Sequence, residues 1–141
     1  AFRVVLHLAE LPLGKIVNGQ TMAEKEHIPQ RFLLKIMRSL ARAGLVKSHR
    51  GADGGFALNK HPGAITLLSV IEAVEGPVAI HRCLAERNAC TKVCVNQCSF
   101  HAALGEVQEL FTTSLAKVDF AALAARQERK GGGSRIAAAS R

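Results

Sequence analysis

Pro29 and Gly44 bound the segment that most restricts what this chain can become. Pro29 suits the first turn of a helix, where a missing N–H costs nothing, and Gly44 suits the left-handed position that closes one. Between them Leu33, Ile36, Met37 and Leu40 recur at spacings of three and four and predict one buried face. Arg31, Lys35, Arg38 and Arg42 form the opposite stripe. Upstream, Thr21-Met22-Ala23-Glu24 has the Thr-x-x-Glu order of a capping box, which predicts a short helix from Thr21 to about His27. A short helix, a tight turn and a longer helix with a cationic outer stripe make a helix-turn-helix.

The next segment fits that reading. Leu45-Val46-Lys47-Ser48 and Phe56-Ala57-Leu58 flank Arg50-Gly51-Ala52-Asp53-Gly54-Gly55, a glycine-rich tip suited to the positive φ angles of a hairpin. A phosphate-cradling loop would need a Gly-Lys-Ser/Thr ending and a helix opening there, and neither follows. The hairpin therefore reads as the wing of a winged helix-turn-helix.

Charge points to the partner. The net charge is +8, and residues 1–60 carry ten Lys/Arg against four acids. Between Glu26 and Asp53 no acid occurs. An ordinary solvated face mixes signs, whereas cations clustered on one segment are rewarded by counterion release from phosphates. Double-stranded DNA is the expected partner. Gln30, Arg31, Lys35, Arg38 and Arg42 are its candidate contacts on the helix, with Lys35 and Arg38 nearest the base edges. Arg50, at the base of the wing tip, is placed to enter a minor groove.

The remaining helices frame this head. Ala1 to Glu10 is expected to turn Phe2, Val5, Leu6 and Ala9 inward and to leave His7 on the surface. Ala1 already stands inside that helical pattern, so native residues are expected ahead of it. Thr66 should cap a helix with Leu67, Val70, Ile71 and Val74 inward, ended by Gly76-Pro77. A long helix is expected from about Asn96, carrying a narrow stripe of Leu104, Val107, Phe111, Leu115 and Val118 that resembles a coiled-coil seam. Reading a palindromic operator needs a two-fold partner, and this stripe is the expected homodimer contact. Asp119 should cap a last short helix to about Gln127.

The expected fold class is mainly α: a winged helix-turn-helix with a small β-hairpin wing and a long C-terminal dimerisation helix. Its expected divisions are a DNA-binding domain over 1–77, a cysteine-rich loop with the dimerisation helix over 78–127, and a disordered basic tail over 128–141. Apolar runs are short and interrupted, and no charged-then-apolar leader opens the chain, so no membrane association and a cytoplasmic location are expected.

All four cysteines, Cys83, Cys90, Cys94 and Cys98, fall in one short stretch, and His101 follows the last by three. Without a secretion signal this argues against a disulfide framework and for a metal, a cluster or a redox switch. Thiolates and an imidazole suit an iron–sulfur cluster or tetrahedral zinc, and spacing alone leaves the two near parity. A purely thiol-based switch is the third possibility. Arg82, Arg87 and Lys92 interleave with the cysteines and would favour thiolates and an anionic site. An enzyme is not expected: no Ser–His–Asp arrangement or nucleotide cradle is present, and aromatic residues to wall a pocket make up only 4% of the chain. A cluster- or zinc-carrying assembly protein that does not bind DNA is the alternative, and the acid-free cationic stripe and glycine wing stand against it.

The order of parts resembles a known family. Arg-Gly-Ala-Asp-Gly-Gly-Phe-Ala-Leu (50–58), then Ile-Thr-Leu-Leu-Ser-Val-Ile-Glu-Ala-Val-Glu-Gly-Pro (65–77), then a cysteine-rich loop, is similar to the IscR/NsrR/RirA family of bacterial winged-helix regulators, the Rrf-type regulators. The resemblance covers about residues 1–127. It implies a homodimeric, DNA-binding transcriptional repressor controlled by a [2Fe–2S] or [4Fe–4S] cluster that senses iron, redox state or nitric oxide. It also implies Cys83, Cys90 and Cys98 as ligands, with His101 at the position of a histidine ligand and Cys94 as an extra thiol. The resemblance tips the expected cofactor towards a cluster. The Cys90-to-Cys98 gap is longer than in the commonest pattern, and Leu34 stands where one group of relatives has a glutamate that tunes site choice.

Overall fold

The computed structural model describes residues 1–51, 53–86 and 98–138. The first helix, α1 (Phe2–Ala9), is apolar on nearly every side, with Arg3 and His7 its only polar residues. Periodicity therefore predicts a helix without choosing its face. Packing chooses Val4, Val5 and Leu8, while Phe2 stays exposed and Leu6 and Ala9 are half-buried. Of the expected inward set only Val5 is fully buried. His7 is buried as well, contrary to the surface place expected for it: its Nδ1 stands 3.3 Å from Glu26 Oε1. The rotation that buries Val4 and Leu8 carries His7 in with them, and Glu26 gives its ring nitrogen a partner.

Helix α2 (Gly19–Lys25) begins earlier than the Thr21 box predicts. Asn18 is the cap, its Oδ1 accepting from the N–H groups of Gln20 at 2.8 Å and Thr21 at 3.5 Å. Thr21 thus lies inside the helix, and Glu24 accepts from the Gln20 side chain rather than closing a box. The chain turns through His27, which takes a positive φ of 51°, while Ile28 N–H donates to Ala23 O at 2.9 Å. Helix α3 (Gln30–Arg42) follows Pro29 and buries Leu33, Met37 and Leu40, with Ile36 half-buried beside them. Gly44 at φ 70° closes it, and Leu45 N–H returns to Leu40 O at 3.0 Å.

Strands β1 (Val46–His49) and β2 (Gly55–Leu58) pair antiparallel, with Val46 opposite Leu58 and His49 opposite Gly55. The other edge of β2 pairs with Val17, whose N–H and carbonyl both bond Phe56 at 2.9 Å. This fixes the hairpin to the segment ahead of α2. It also explains Gly55: a Cβ there would collide with the Val17 carbonyl. At the tip Gly51 takes φ 114°, the conformation expected of the glycine turn.

After a short 3₁₀ turn (Pro62–Ala64), α4 (Leu67–Glu75) starts at a reciprocal Thr66–Ser69 cap and stops at Gly76 with φ 89°. Val70 is its fully buried residue, with Leu67, Ile71 and Val74 half-buried. Helices α5 (Arg82–Ala85) and α6 (Ser99–Ala116) follow, and the expected start of α6 near Asn96 lies outside the described residues. The chain then returns to the head. Leu67 N–H donates to Val118 O at 3.0 Å, Phe120 N–H donates to Ile65 O at 2.9 Å, and Asp119 Oδ1 caps at Ala122 N–H. Phe120 opens α7 (Phe120–Ala138) and sits 1% exposed in the core with Val4, Val5, Leu33 and Ile65. The head thus takes one of its largest core side chains from far beyond residue 77. Helix α7 also runs past the end expected at Gln127. No proline interrupts it.

Candidate nucleic-acid interface and thiol site

The α3 face turned away from the core carries the predicted contacts. Gln30, Arg31, Lys35, Arg38 and Arg42 are all exposed, as is Arg50 where the wing tip begins. Among the described residues none of these five cations forms an ion pair; the salt bridges found there are His7–Glu26 and Arg82–Glu86. Their charge is therefore unspent among the described residues. Two further features of this face stand beside the predicted contacts. Leu34 is 42% exposed among the cations, where an apolar side chain can meet a thymine methyl group, and Lys47 is exposed on β1. In the sequence Leu34 stands out only as the counterpart of a glutamate in one group of relatives; its exposure shows once its neighbours are placed.

The cysteine region is built on α5 and the first turn of α6. Cys83 and Cys98 are free, half-buried thiols. Cys98 stands at the N-cap position of α6 without a capping side-chain bond, and His101 lies in the first turn with a buried Nδ1 that has no hydrogen-bond partner among the described residues. Cys90, Cys94, Arg87 and Lys92 lie outside the described residues. Within the described part no three potential ligands stand together as a complete metal site. The donor set nevertheless fits a soft metal: two free thiols and an imidazole nitrogen that is buried and unsatisfied, a costly state unless something binds it.

Two residues the sequence reading passed over organise this region. His81 Nδ1 accepts from Cys83 N–H at 3.3 Å and stands 3.1 Å from Cys83 Sγ. Gln108, on α6, accepts from Ile80 N–H at 2.8 Å and donates to Val78 O at 2.7 Å, clamping the segment before α5 onto the long helix. His81 was legible as a His-x-Cys spacing. Gln108, twenty-five residues from Cys83, was not.

Helix α6 buries no residue within the chain. Of the expected seam, Leu104, Leu115 and Val118 are half-buried within the chain. The outward apolar face keeps Val107 (53% exposed) and Phe111 (46%) of that seam and adds Phe100 (78%) and Leu110 (70%). Among the described residues no helix is long and apolar enough to cross a membrane.

A family profile described as Rrf2, iron-dependent transcriptional regulator, matches residues 1–126. A protein of Aquifex aeolicus (strain VF5), named as an HTH-type transcriptional regulator, is 33% identical over 99 residues, 69% of this chain and 69% of its own. The similarly named YffB of Lactococcus lactis subsp. lactis is 30% identical over 124 residues, 86% of this chain and 80% of its own. Among solved structures, CymR of B. subtilis, the global cysteine regulator, matches with a TM-score of 0.64 at 25% identity, over 89% of this chain and 90% of that one. IscR of T. potens shares the fold with a TM-score of 0.66 at 22% identity, over 92% of this chain and 83% of that one.

Proposed function

The chain belongs to the Rrf2 family and is a transcriptional regulator with a DNA-binding fold, not an enzyme; from that premise we propose that it is a homodimeric repressor whose operator affinity is set by an iron–sulfur cluster. The observation that carries the DNA half is the exposed cationic face of α3, unpaired among the described residues, with the wing anchored beside it by Val17. On this reading α3 enters the major groove, Lys35 and Arg38 meet base edges, and Gln30, Arg31 and Arg42 meet phosphates. Arg50 enters the adjacent minor groove.

Cys83, Cys90 and Cys98 would hold the cluster, with Cys94 and His101 as further donors. When bound, a cluster supplies redox-active, labile iron whose loss or modification is the signal for iron, redox state or nitric oxide. The chain's own residues give that signal a route. Gln108 ties the segment leading to Cys83 onto α6, and the Leu67–Val118 and Phe120–Ile65 bonds tie the end of α6 into the head. A shift of the cysteine loop therefore bears on the helix that would orient two heads across a dimer. A coupling of about 1–3 kcal/mol would change operator affinity roughly 5–150-fold.

The test is an anaerobic visible spectrum of the full chain with iron, sulfide and zinc assayed on the same sample, followed by operator binding before and after chelation. Visible absorption, matching iron and sulfide, and an affinity change on chelation are expected. A colourless protein with stoichiometric zinc, or with no metal, would overturn the cluster and leave the DNA-binding reading in place.

A further inference from the structure

Resting on the reading of a resident iron–sulfur cluster, we propose that His81 is a ligand to the iron bonded by Cys83. His81 precedes Cys83 by two residues, and both flank the start of α5. Its Nδ1 accepts the Cys83 backbone N–H at 3.3 Å, so this nitrogen carries a lone pair rather than a proton and directs it to the Cys83 side of the ring. The same atom stands 3.1 Å from Cys83 Sγ. A metal bonded to sulfur at about 2.3 Å and to imidazole nitrogen at about 2.0 Å in tetrahedral geometry holds those two atoms roughly 3.5 Å apart. The pair is therefore within about half an ångström of chelating spacing before anything binds. The Cys83 thiol reaches the same nitrogen as a hydrogen-bond donor, and a metal bonded to both atoms would take the place of that thiol proton. His81 is exposed, whereas His101 holds its Nδ1 buried. An iron carried by Cys83 and His81 would be the solvent-facing one, where imidazole in place of thiolate leaves it easiest to displace.

The experiment uses the full chain labelled with ¹⁵N-histidine, reconstituted anaerobically and reduced, in wild-type, His81→Asn and His101→Asn forms. Asparagine retains a capping side chain for the Cys83 N–H but supplies no imidazole nitrogen. Pulsed EPR should show a directly bonded histidine nitrogen whose coupling His81→Asn removes, distinct from any second coupling that His101→Asn removes. Iron affinity in chelator competition should fall by about 10–100-fold or more in His81→Asn. Unchanged nitrogen coupling and unchanged iron retention in His81→Asn would overturn the assignment while leaving the cluster intact. A wild-type protein that takes up no iron and sulfide would instead overturn the parent reading, and this one with it, before any variant is compared.

Discussion

His27 shows how a single residue holds the head in shape. It makes the turn between α2 and α3 at φ 51°, the one non-glycine residue with positive φ among those described, and its side chain is exposed. A left-handed conformation costs an L-residue roughly 1–2 kcal/mol, most for a β-branched one. His27→Val should lower unfolding free energy in urea denaturation by up to about 1 kcal/mol, the extra cost of a β-branched residue over the strain His27 already carries. His27→Gly should be neutral to stabilising by up to about 1 kcal/mol, because relief of the left-handed strain outweighs the roughly 0.5–1 kcal/mol entropic cost of glycine. Equal midpoints for the two variants would mean that the turn relaxes. Phe120 acts at the same scale through burial: truncating a buried phenylalanine costs about 3–5 kcal/mol. Phe120→Ala should therefore destabilise the head itself, seen as loss of operator binding at temperatures the native chain tolerates. His7 and Phe120 were both legible only as residue types, since nothing local to either announces its partner.

At the scale of elements, the helix-turn-helix was legible because its signals are local. Pro29, Gly44 and the spacing of Leu33, Met37 and Leu40 each act within a few residues of where they stand. The short helix was placed a little late, because Asn18 and Thr21 are both competent caps and the backbone selects the one whose oxygen reaches free N–H groups. The cations of α3 and the wing make a prediction that belongs to the element. Arg42→Ala should weaken binding to all DNA sequences alike and reduce the slope of log affinity against log salt by about one. Arg38→Ala should cost about 1–3 kcal/mol selectively on the cognate operator, if it reads a base edge. Fluorescence anisotropy at several salt concentrations separates the two. Identical behaviour of both variants would remove base reading from Arg38.

For the molecule as a whole, the telling fact is that α6 leaves a run of large apolar side chains uncovered. Phe100, Val107, Leu110 and Phe111 face outward from an 18-residue helix that buries none of its residues within the chain. Water contact with such a face is unfavourable at about 25 cal/mol per Å², and a second copy of the same helix would relieve it symmetrically. Leu110→Glu should weaken self-association by about 2 kcal/mol or more and give a monomer in sedimentation, with the thermal transition of the head little changed. A dimer that persists in this variant would move the interface elsewhere. Operator affinity should fall with the dimer, because one head alone grips one half-site.

The sequence by itself determined the kinds of element, their order, the cationic face and the concentration of thiols, since each rests on contacts between near neighbours or on charge that no packing alters. Only the tertiary structure decided which way α1 rolls, that His7 goes inside with Glu26, and that Phe120 completes a core begun at Val4. It also decided that Gln108 fastens the entry to the cysteine loop, and that the seam expected on α6 divides into an inner half and an outer half. The reason is physical. Helical periodicity sets spacing along an element, but an element apolar on several sides has no preferred face until another surface is brought against it.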